Sequence, residues 1–171
     1  RKVMLHPDAK PNAGHYALAR LEKRGKLKAV VTQNIDGLHQ DAGSQKVIEL
    51  HGTVRRNLCM ACGTVHDLKY ALLQQGTPRC ECGGVLRPNI VFYGEPLDTQ
   101  VMDEAIRAVM KCDLLIVGGT SLTVYPAVGL LGYRHNAKLA LINLAETPFD
   151  QRADLVVRES TATALEAAIP A

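Results

Sequence analysis

The stretch DLLIVGGTS at residues 113–121 is the segment that decides the fold class of this chain. Its run DLLIV, at residues 113–117, is almost continuously apolar and ends on two glycines, which predicts a short buried strand. Residues 98–111 precede it with apolar side chains at helical spacing, and residues 126–134 are predicted to form the helix that follows. A buried strand between two helices is typical of a parallel sheet that is covered on both faces.

The same alternation of strands and helices continues through most of the chain. Strands are predicted at residues 27–32, 46–50, 138–143 and 154–157, and helices at residues 12–24 and 162–168. This pattern predicts an α/β fold, a Rossmann-like doubly wound parallel sheet built from residues 1–54 and 89–171. In such sheets the ligand binds at the carboxyl ends of the strands.

The composition is that of an ordinary globular protein. Hydrophobic residues make up 47% of the 171 residues and charged residues 22%, so one sizeable core is expected. The net charge of +3 is dispersed, and a dispersed charge does not by itself indicate a nucleic-acid-binding protein. No apolar run approaches the ~20 residues that a membrane-spanning helix needs, so no membrane partner is expected. The paired cysteines favour a reducing, cytoplasmic location.

A small insertion at residues 55–88 is rich in Gly, Pro and Cys and has little periodicity. Its four cysteines are Cys59, Cys62, Cys80 and Cys82, in two close pairs separated by 17 residues. Two such pairs of thiolates can complete a tetrahedral site, and a site with four protein ligands leaves no open position for catalysis. The spacing therefore predicts a structural zinc ion, with four unligated thiols as the alternative. His66 could compete as a ligand, although a surface histidine is favoured.

Polar side chains follow the first two predicted strands, at the edge where a ligand would bind. Gln33, Asn34 and Asp36 come directly after the first strand, and amides with a carboxylate suit a ribose and a carboxamide. Taken alone, the Asn-x-Asp-Gly sequence is equally consistent with an ordinary turn. His51 follows the next strand and could act as a general base, although a lone histidine is more often structural.

Two further strand ends carry residues that suit a nucleotide. Residues 118–121, GGTS, resemble a phosphate-binding turn, in which backbone N–H groups and hydroxyls lie close together. The turn is not the G-x-G-x-x-G fingerprint, so on its own it only suggests such a site. Asn143 ends a later strand on the same edge, where its amide could contact a ribose.

Taken together, these segments resemble the sirtuin family, of bacterial type. The matching motifs are TQNIDGLHQDAG (residues 32–43), ELHGT (49–53), the four cysteines, LRPNIVFYGE (86–95), GGTSLTVYPA (118–127) and LIN (141–143). They occur in the family's order and cover nearly the whole chain, so their joint occurrence is highly specific. The resemblance implies an enzyme that uses NAD to remove acyl groups from the lysines of protein or peptide substrates. No specific nucleic acid is expected as a partner.

The resemblance also implies a mechanism. The acyl oxygen attacks C1′ of the nicotinamide ribose, and nicotinamide leaves. His51 then acts as a general base through the ribose hydroxyls, and the products are free lysine, nicotinamide and O-acyl-ADP-ribose. The expected catalytic residues are His51 and Asn34. The residues expected to bind NAD are Gln33, Asn34, Ile35, Asp36, Gly118, Gly119, Thr120, Ser121 and Asn143.

The same resemblance implies where the substrate binds. The acyl-lysine enters a tunnel between the α/β body and the zinc-binding module, and the peptide adds as a strand between two edges of the protein. The residues expected at these edges are Val91, Phe92, Gly94 and Glu95 on one side and Leu122 and Val124 on the other. Binding through backbone bonds constrains the peptide sequence only weakly.

One part of the family pattern has no counterpart in this sequence. Sirtuins begin with a strand that leads into a Gly-Ala-Gly-Ile-Ser type loop, followed by a mobile cofactor-binding loop. Residues 6–12 match the family just after that loop. Because the unmatched part contributes the central strand and much of the pyrophosphate site, we expect little or no deacylase activity from a polypeptide limited strictly to these 171 residues.

Two other interpretations stay open at this point. The first is a catalytically incompetent sirtuin-like module that binds a nucleotide or a partner without turnover. The second is a zinc ribbon that binds nucleic acid, for which steep salt dependence of binding would be the signature. The basic residues that favour this second interpretation are Arg55, Arg56, Lys69, Arg79 and Arg87. Its weakness is that it leaves the strand-end clusters unexplained.

Overall fold

A computed structural model of the protein describes residue 6, residues 8–125 and residues 127–169. The helices are α1 (Ala13–Lys23), α2 (Leu38–Asp41), α3 (Leu68–Leu72), α4 (Thr99–Lys111) and α5 (Thr161–Ala168). Short 3-10 helices cover Ala127–Tyr133 and Asp150–Arg152. Among these described residues, no helix is both long enough and apolar enough to cross a membrane.

The strands form two parallel sheets and one antiparallel sheet. Their bounds are β1 (Val30–Thr32), β2 (Val47–Glu49), β3 (Gly52–Cys59), β4 (Val65–Asp67), β5 (Leu86–Ile90), β6 (Leu114–Gly118), β7 (Lys138–Ile142) and β8 (Leu155–Val157). Strand β1 pairs with β2 in parallel, and β6, β7 and β8 form a parallel sheet in that order. Strands β4, β3 and β5 form the antiparallel sheet in that order. The predicted α/β class is confirmed, with the parallel strands divided between two sheets.

Side chains of β7 are buried on both faces of the β6–β8 sheet. On one face, Ile142 packs with Ala17 of α1 and Leu165 of α5. On the other face, Leu139 and Leu141 pack in a second cluster. A strand buried on both faces is what the nearly continuous apolar run of β7 predicts for the middle of a parallel sheet.

Helix α4 packs against both parallel sheets. Its residues Ala105 and Val109 form a buried cluster with Ile48 and Leu50, which lie in and just after β2. Leu115 of β6 packs against the same cluster. Strands β2 and β6, which belong to different sheets, are therefore held in one body by apolar contacts with this helix.

Helix α1 begins and ends at signals that are visible in the sequence, and a side-chain contact then fixes its place. Asn12 forms a capping box with His15, and the helix ends shortly before Gly25. The Glu22 carboxylate accepts hydrogen bonds from the backbone N–H groups of Gln45 and Lys46, at 2.9 and 2.8 Å. This contact holds α1 against the segment that leads into β2.

Strands β3, β4 and β5 were not predicted, and one predicted helix has a different form. In β3 the alternation of apolar and polar residues is obscured, because the polar residues Thr53 and Asn57 are buried while the apolar Leu58 is exposed. The α-helix predicted at residues 126–134 is instead a 3-10 helix, in which Gly129 and Gly132 weaken α-helical propensity. Pro126 lies outside the described residues.

The substitution Leu141→Ala should lower the free energy of unfolding by about 2–5 kcal/mol, because it leaves a cavity in the core. Leu141 is only 1% exposed at the centre of the β6–β8 sheet. The matched control is Leu144→Ala, since Leu144 is 72% exposed and its truncation creates no cavity. Equilibrium unfolding in urea measures both values, and equal destabilisation by the two substitutions would contradict this description of the core.

Candidate functional site

Residues 33–37, which we call the site loop, follow β1 without regular secondary structure and lie along the start of β3. Four hydrogen bonds, which we call the carbonyl ladder, join backbone carbonyls of β1 and the loop to residues 50–55. They run from Leu50 N to the Thr32 carbonyl (2.9 Å), from His51 Nδ1 to the Gln33 carbonyl (3.0 Å), from Val54 N to the Ile35 carbonyl (3.0 Å) and from Arg55 Nε to the Asp36 carbonyl (3.1 Å). The ladder fixes an irregular segment against a regular strand, so its side chains have defined positions.

His51 is the member of the ladder that bonds through its side chain ring. Because a carbonyl oxygen can only accept, Nδ1 must carry the proton in the 3.0 Å bond to Gln33. In the neutral imidazole, Nε2 then keeps its lone pair. Within the described part of the chain, no protein group forms a hydrogen bond with Nε2 of this half-buried residue. This tautomer is the one that a general base needs.

The predicted ligand-binding residues of the site loop differ in exposure. Asn34 is exposed, and its backbone N–H donates to Thr32 Oγ1 at 3.0 Å. Asp36 is half-buried, and its Oδ1 accepts from the backbone N–H of Leu38 at the start of α2, at 2.9 Å. Gln33 and Ile35 are also half-buried. The Asn34 amide is therefore the side chain of the loop that is most accessible to a ligand.

Two histidines that the sequence analysis did not single out lie near Asp36. The rings of His15 and His39 are 4.6 Å apart, centroid to centroid. Burial lowers the pKa of both rings, and the nearby Asp36 carboxylate opposes that shift in each case. The neutral forms are thereby favoured beside the site loop. Nothing in the local sequence pattern pairs these residues, because they belong to different helices.

The turn at residues 118–121 lies at the end of β6 and is largely bonded to the protein itself. The Gly119 N–H donates to the Ile142 carbonyl at 3.1 Å, so this amide is already engaged. Thr120 Oγ1 accepts from the backbone of Leu122, and Ser121 Oγ lies 2.7 Å from Thr123 Oγ1. The hydroxyls at this turn therefore suit a phosphate better than the Gly119 amide does.

Asn143 lies at the end of the neighbouring strand β7, as predicted. Its side-chain Nδ2 donates to the Ala145 carbonyl at 2.9 Å, and its backbone N–H donates to the Val157 carbonyl. Gly118 at the end of β6 is packed by Thr161, whose methyl group would lie 2.7 Å from a Cβ at that position. No local signal in the sequence marks Thr161, because its contact with Gly118 joins two separate elements.

The segment after β5 carries the first of the two predicted substrate edges. The Val91 N–H donates to the His51 carbonyl at 3.0 Å, which places this edge directly beside the predicted base. The exposed Glu95 carboxylate accepts from the Phe92 N–H and from the Arg87 guanidinium. The hydrogen bond from Arg87 holds the pKa of Glu95 below its usual value. Gly94 is exposed in the turn between these contacts.

At the second predicted substrate edge, Leu122 and Val124 differ in the exposure of their side chains. Leu122 is only 6% exposed and packs in the core with Leu139 and Leu141, so its side chain cannot line a substrate site. It has a positive φ of 53°, which is unusual for a residue other than glycine. Val124 is exposed and remains accessible. Only the backbone of Leu122 is left to contact a peptide.

The four predicted metal ligands converge at the end of β3. The sulfur atoms of Cys59, Cys62, Cys80 and Cys82 all lie within 4.8 Å of one another. Three of the distances are 3.4, 3.5 and 3.7 Å. Tetrahedral coordination at the usual zinc–sulfur distance separates sulfurs by about 3.8 Å, so this set fits a zinc ion. A hydrogen bond with the Thr64 hydroxyl contributes most to lowering the pKa of Cys62 to about 6. In spite of a hydrogen bond with the Gly84 backbone, the neighbouring thiols raise the pKa of Cys82 to about 12, so Cys62 loses its proton more easily than Cys82.

His66 lies beside this cluster and contacts one of its sulfurs. Its Nε2 is 3.2 Å from Cys80 Sγ, and its ring stacks on Tyr70 with centroids 4.1 Å apart. With four thiolates already converging, the histidine is placed to donate a hydrogen bond to a ligand and not to replace one. Sequence spacing alone did not distinguish these two roles.

Comparisons with known proteins agree on one family. A family model described as the Sir2 family matches residues 1–126. The NAD-dependent protein deacetylase of Clostridium acetobutylicum is 52% identical over 171 residues, which are 99% of this chain and 70% of that protein. A solved Sir2–p53 peptide–NAD+ structure is 42% identical with a TM-score of 0.84, over 93% of this chain and 69% of that one. A solved structure of Sir2 bound to acetylated peptide is 42% identical with a TM-score of 0.85, over 94% and 70% of the two chains.

The substitution Cys80→Ser should remove most of the bound zinc from the full-length protein, because it deletes one of four converging thiolates. Zinc per chain is measured by mass spectrometry of the purified protein. Cys112→Ser is the matched control, since the Cys112 thiol lies outside the cluster and donates to the Val109 carbonyl. Equal zinc content in the two variants would contradict the assignment of the site.

The substitution His66→Phe should weaken zinc binding by about 10- to 100-fold, the usual effect of removing a hydrogen bond to a metal ligand. Phenylalanine keeps a ring that can stack on Tyr70 but lacks the nitrogen that contacts Cys80. Competition with a chromophoric chelator measures the affinity. An unchanged affinity would show that the contact between His66 and Cys80 does not support the metal.

Proposed function

Because the chain belongs to the Sir2 family, we propose that it catalyses the NAD-dependent removal of acetyl or related acyl groups from lysine side chains of proteins. The similar Clostridium acetobutylicum protein is named an NAD-dependent protein deacetylase, which supports this activity. The single observation that carries the proposal is the 3.0 Å bond between His51 Nδ1 and the Gln33 carbonyl. That bond joins a candidate base to the segment that would hold the nicotinamide ribose.

The residues of the site loop suit the nicotinamide half of NAD. When bound, NAD supplies the ribose carbon that accepts the acyl oxygen as nicotinamide departs. The exposed Asn34 amide can bond to a ribose hydroxyl or to an ordered water molecule. The Asp36 carboxylate, which is oriented by the Leu38 N–H, can accept from a carboxamide N–H. Gln33 and Ile35 would contact the cofactor mainly through their half-buried side chains.

The turn at residues 118–121 and Asn143 would hold the adenosine half of NAD. Thr120 and Ser121 would offer hydroxyls to the phosphates, and Gly118 and Gly119, the latter with a φ of 65°, would shape the turn that presents them. Asn143 would exchange its internal bond to the Ala145 carbonyl for a bond to the ribose. These residues lie at the carboxyl ends of β6 and β7, the edge at which parallel sheets bind nucleotides.

His51 would act as the general base at Nε2. With Nδ1–H held by the Gln33 carbonyl, Nε2 is free to accept a proton from a ribose hydroxyl. The ring then becomes positively charged and donates a stronger hydrogen bond to the same carbonyl, which stabilises the charged form. The backbone carbonyl of His51 also accepts a hydrogen bond from the Val91 N–H. This bond would fix the position of the base relative to the adjacent peptide-binding edge.

The substrate would be an acyl-lysine protein or peptide that adds as a strand. The edge formed by Val91, Phe92, Gly94 and Glu95 would provide one side, and Val124 with the backbone of Leu122 the other. The solved Sir2 structures that the chain resembles include one with p53 peptide and one with acetylated peptide, which supports this mode. Recognition through backbone bonds would admit many peptide sequences.

Zinc would have a structural role, and the protein would be cytoplasmic. Four thiolates fill a tetrahedral site and leave no position for a substrate. Cysteines that converge as a metal-type cluster favour a reducing compartment over a disulfide framework. The nucleic-acid alternative gains little support, because Arg55, Arg56 and Arg87 lie in ion pairs with Asp41, Glu49 and Glu95.

The substitution His51→Ala should lower turnover of an acetyl-lysine peptide by roughly 10²–10⁴-fold, which is the usual contribution of a general base. Turnover is measured on the product of the whole encoding gene, as nicotinamide released and as deacetylated peptide formed in the presence of NAD. The zinc content should not change, since the cysteine cluster lies at the far end of β3. Tm should fall only slightly, because the substitution removes one hydrogen bond of the carbonyl ladder.

The matched control is His135→Ala, because His135 is exposed and lies outside the candidate site. A protein whose turnover is unaffected by His51→Ala would not use this base. A wild-type protein that binds NAD but never releases nicotinamide would favour the binding-only interpretation. Binding of DNA or RNA with a steep salt dependence, without NAD turnover, would favour the zinc-ribbon interpretation.

A further inference from the structure

We infer that Arg55 is a positioning residue for the nicotinamide half of the NAD site, acting through the site loop and not by touching the substrate. The inference rests on the proposed function and assigns a role that no local motif indicated. The guanidinium joins two points on either side of Gly37, namely the Asp36 carbonyl and the Asp41 carboxylate. It therefore spans the junction between the loop and α2.

The Arg55 guanidinium forms three hydrogen bonds in fixed directions. Nη1 donates to Asp41 Oδ1 at 2.8 Å, and Nη2 donates to Oδ2 of the same carboxylate. Nε donates to the Asp36 carbonyl at 3.1 Å. A planar guanidinium bonded at all three nitrogens fixes the orientation of both partners, which a lysine ammonium cannot do.

Gly37 lies directly against this guanidinium. A Cβ built on Gly37 would lie 2.1 Å from Arg55 Nε, so the arginine occupies the space that a side chain would need. The φ of Gly37 is 76°, in the left-handed region that favours glycine. This turn points the Asp36 carboxylate at the Leu38 N–H, so Arg55 and Asp36 together set the start of α2.

Loss of Arg55 would change one end of the loop and leave the other end in place. The Asp36 carbonyl would lose its partner in the carbonyl ladder, while the bonds from Leu50, His51 and Val54 would remain. The Asp36 carboxylate, the group expected to meet the carboxamide, belongs to the residue that is released. The peptide-binding edge is held separately by the Val91–His51 bond, so it should be unaffected.

This role is separable from a contribution to folding stability. The side chains of Arg55 and Asp41 are 40% and 43% exposed, and ion pairs at such exposure contribute little to stability. The hydrogen bond from Arg55 lowers the pKa of Asp41, in agreement with a close contact. A large effect on ligand affinity with a small effect on Tm would therefore identify positioning.

The substitution Arg55→Met should weaken NAD binding to the full-length protein by about 10- to 100-fold, because the loop is no longer held in place. Isothermal titration calorimetry measures this affinity without requiring turnover. The KM for NAD should rise in parallel, while the KM for the acetyl-lysine peptide and the zinc content stay within about twofold of wild type. The double variant Arg55→Met, Asp41→Asn should bind NAD no more weakly than Arg55→Met alone, since the two groups act as a unit.

The matched control is Arg56→Met, which removes the neighbouring arginine, 56% exposed in its side chain and 3.6 Å from Glu49. Its NAD affinity should equal that of the wild type. NAD affinity unchanged by Arg55→Met, or an equal loss in Arg56→Met, would overturn the inference and leave the proposed function intact. If the wild-type protein binds NAD but releases no nicotinamide, the proposed function is wrong and the inference about Arg55 stands. If the wild-type protein does not bind NAD, the proposed function and the inference are both wrong.

Discussion

The carbonyl ladder between the site loop and residues 50–55 is the constraint on which the proposed site depends. The loop has no regular secondary structure, and its peptide groups would otherwise bond to water. By bonding these carbonyls to Leu50, His51, Val54 and Arg55, the fold makes the loop an ordered continuation of β1. The same set of hydrogen bonds therefore fixes the position of the candidate base relative to the residues that would surround the nicotinamide ribose.

Strand β3 connects the carbonyl ladder to the thiolate cluster. It begins at Gly52, directly after His51, and ends at Cys59. Gly52 has a φ of 72°, and a Cβ there would lie 2.2 Å from the Asn89 carbonyl oxygen, so only glycine allows β3 to approach β5 this closely. A zinc ion at the far end of the strand would stabilise the sheet that begins directly after His51. Such an ion would take no part in the chemistry, but the position of His51 would depend on the sheet that it stabilises.

Several features were predicted correctly because their signals are local. The four cysteines could be assigned as one cluster, since each close pair is brought together by a turn of a few residues. The buried strand β7 could be recognised from its apolar run, and α1 from the helical spacing of its apolar residues and the glycine that follows it. Strand β3 was missed because Thr53 and Asn57 are buried in spite of their polarity, so the sequence lacked the alternation that marks a strand.

The sequence by itself determined the α/β class, the thiolate cluster and the presence of polar residues where strands end. Only the tertiary structure decided which atoms of those residues are available to a ligand and which are already bonded or buried. It placed the proton of His51 on Nδ1, engaged the Gly119 amide with Ile142, and buried the side chain of Leu122. The reason is distance along the chain: His51 and Gln33 are 18 residues apart and Arg55 and Asp36 are 19, so no local spacing rule relates them. The periodicity of apolar residues indicates only which residues a few positions apart share a face. Which elements exchange hydrogen bonds depends on how those elements pack.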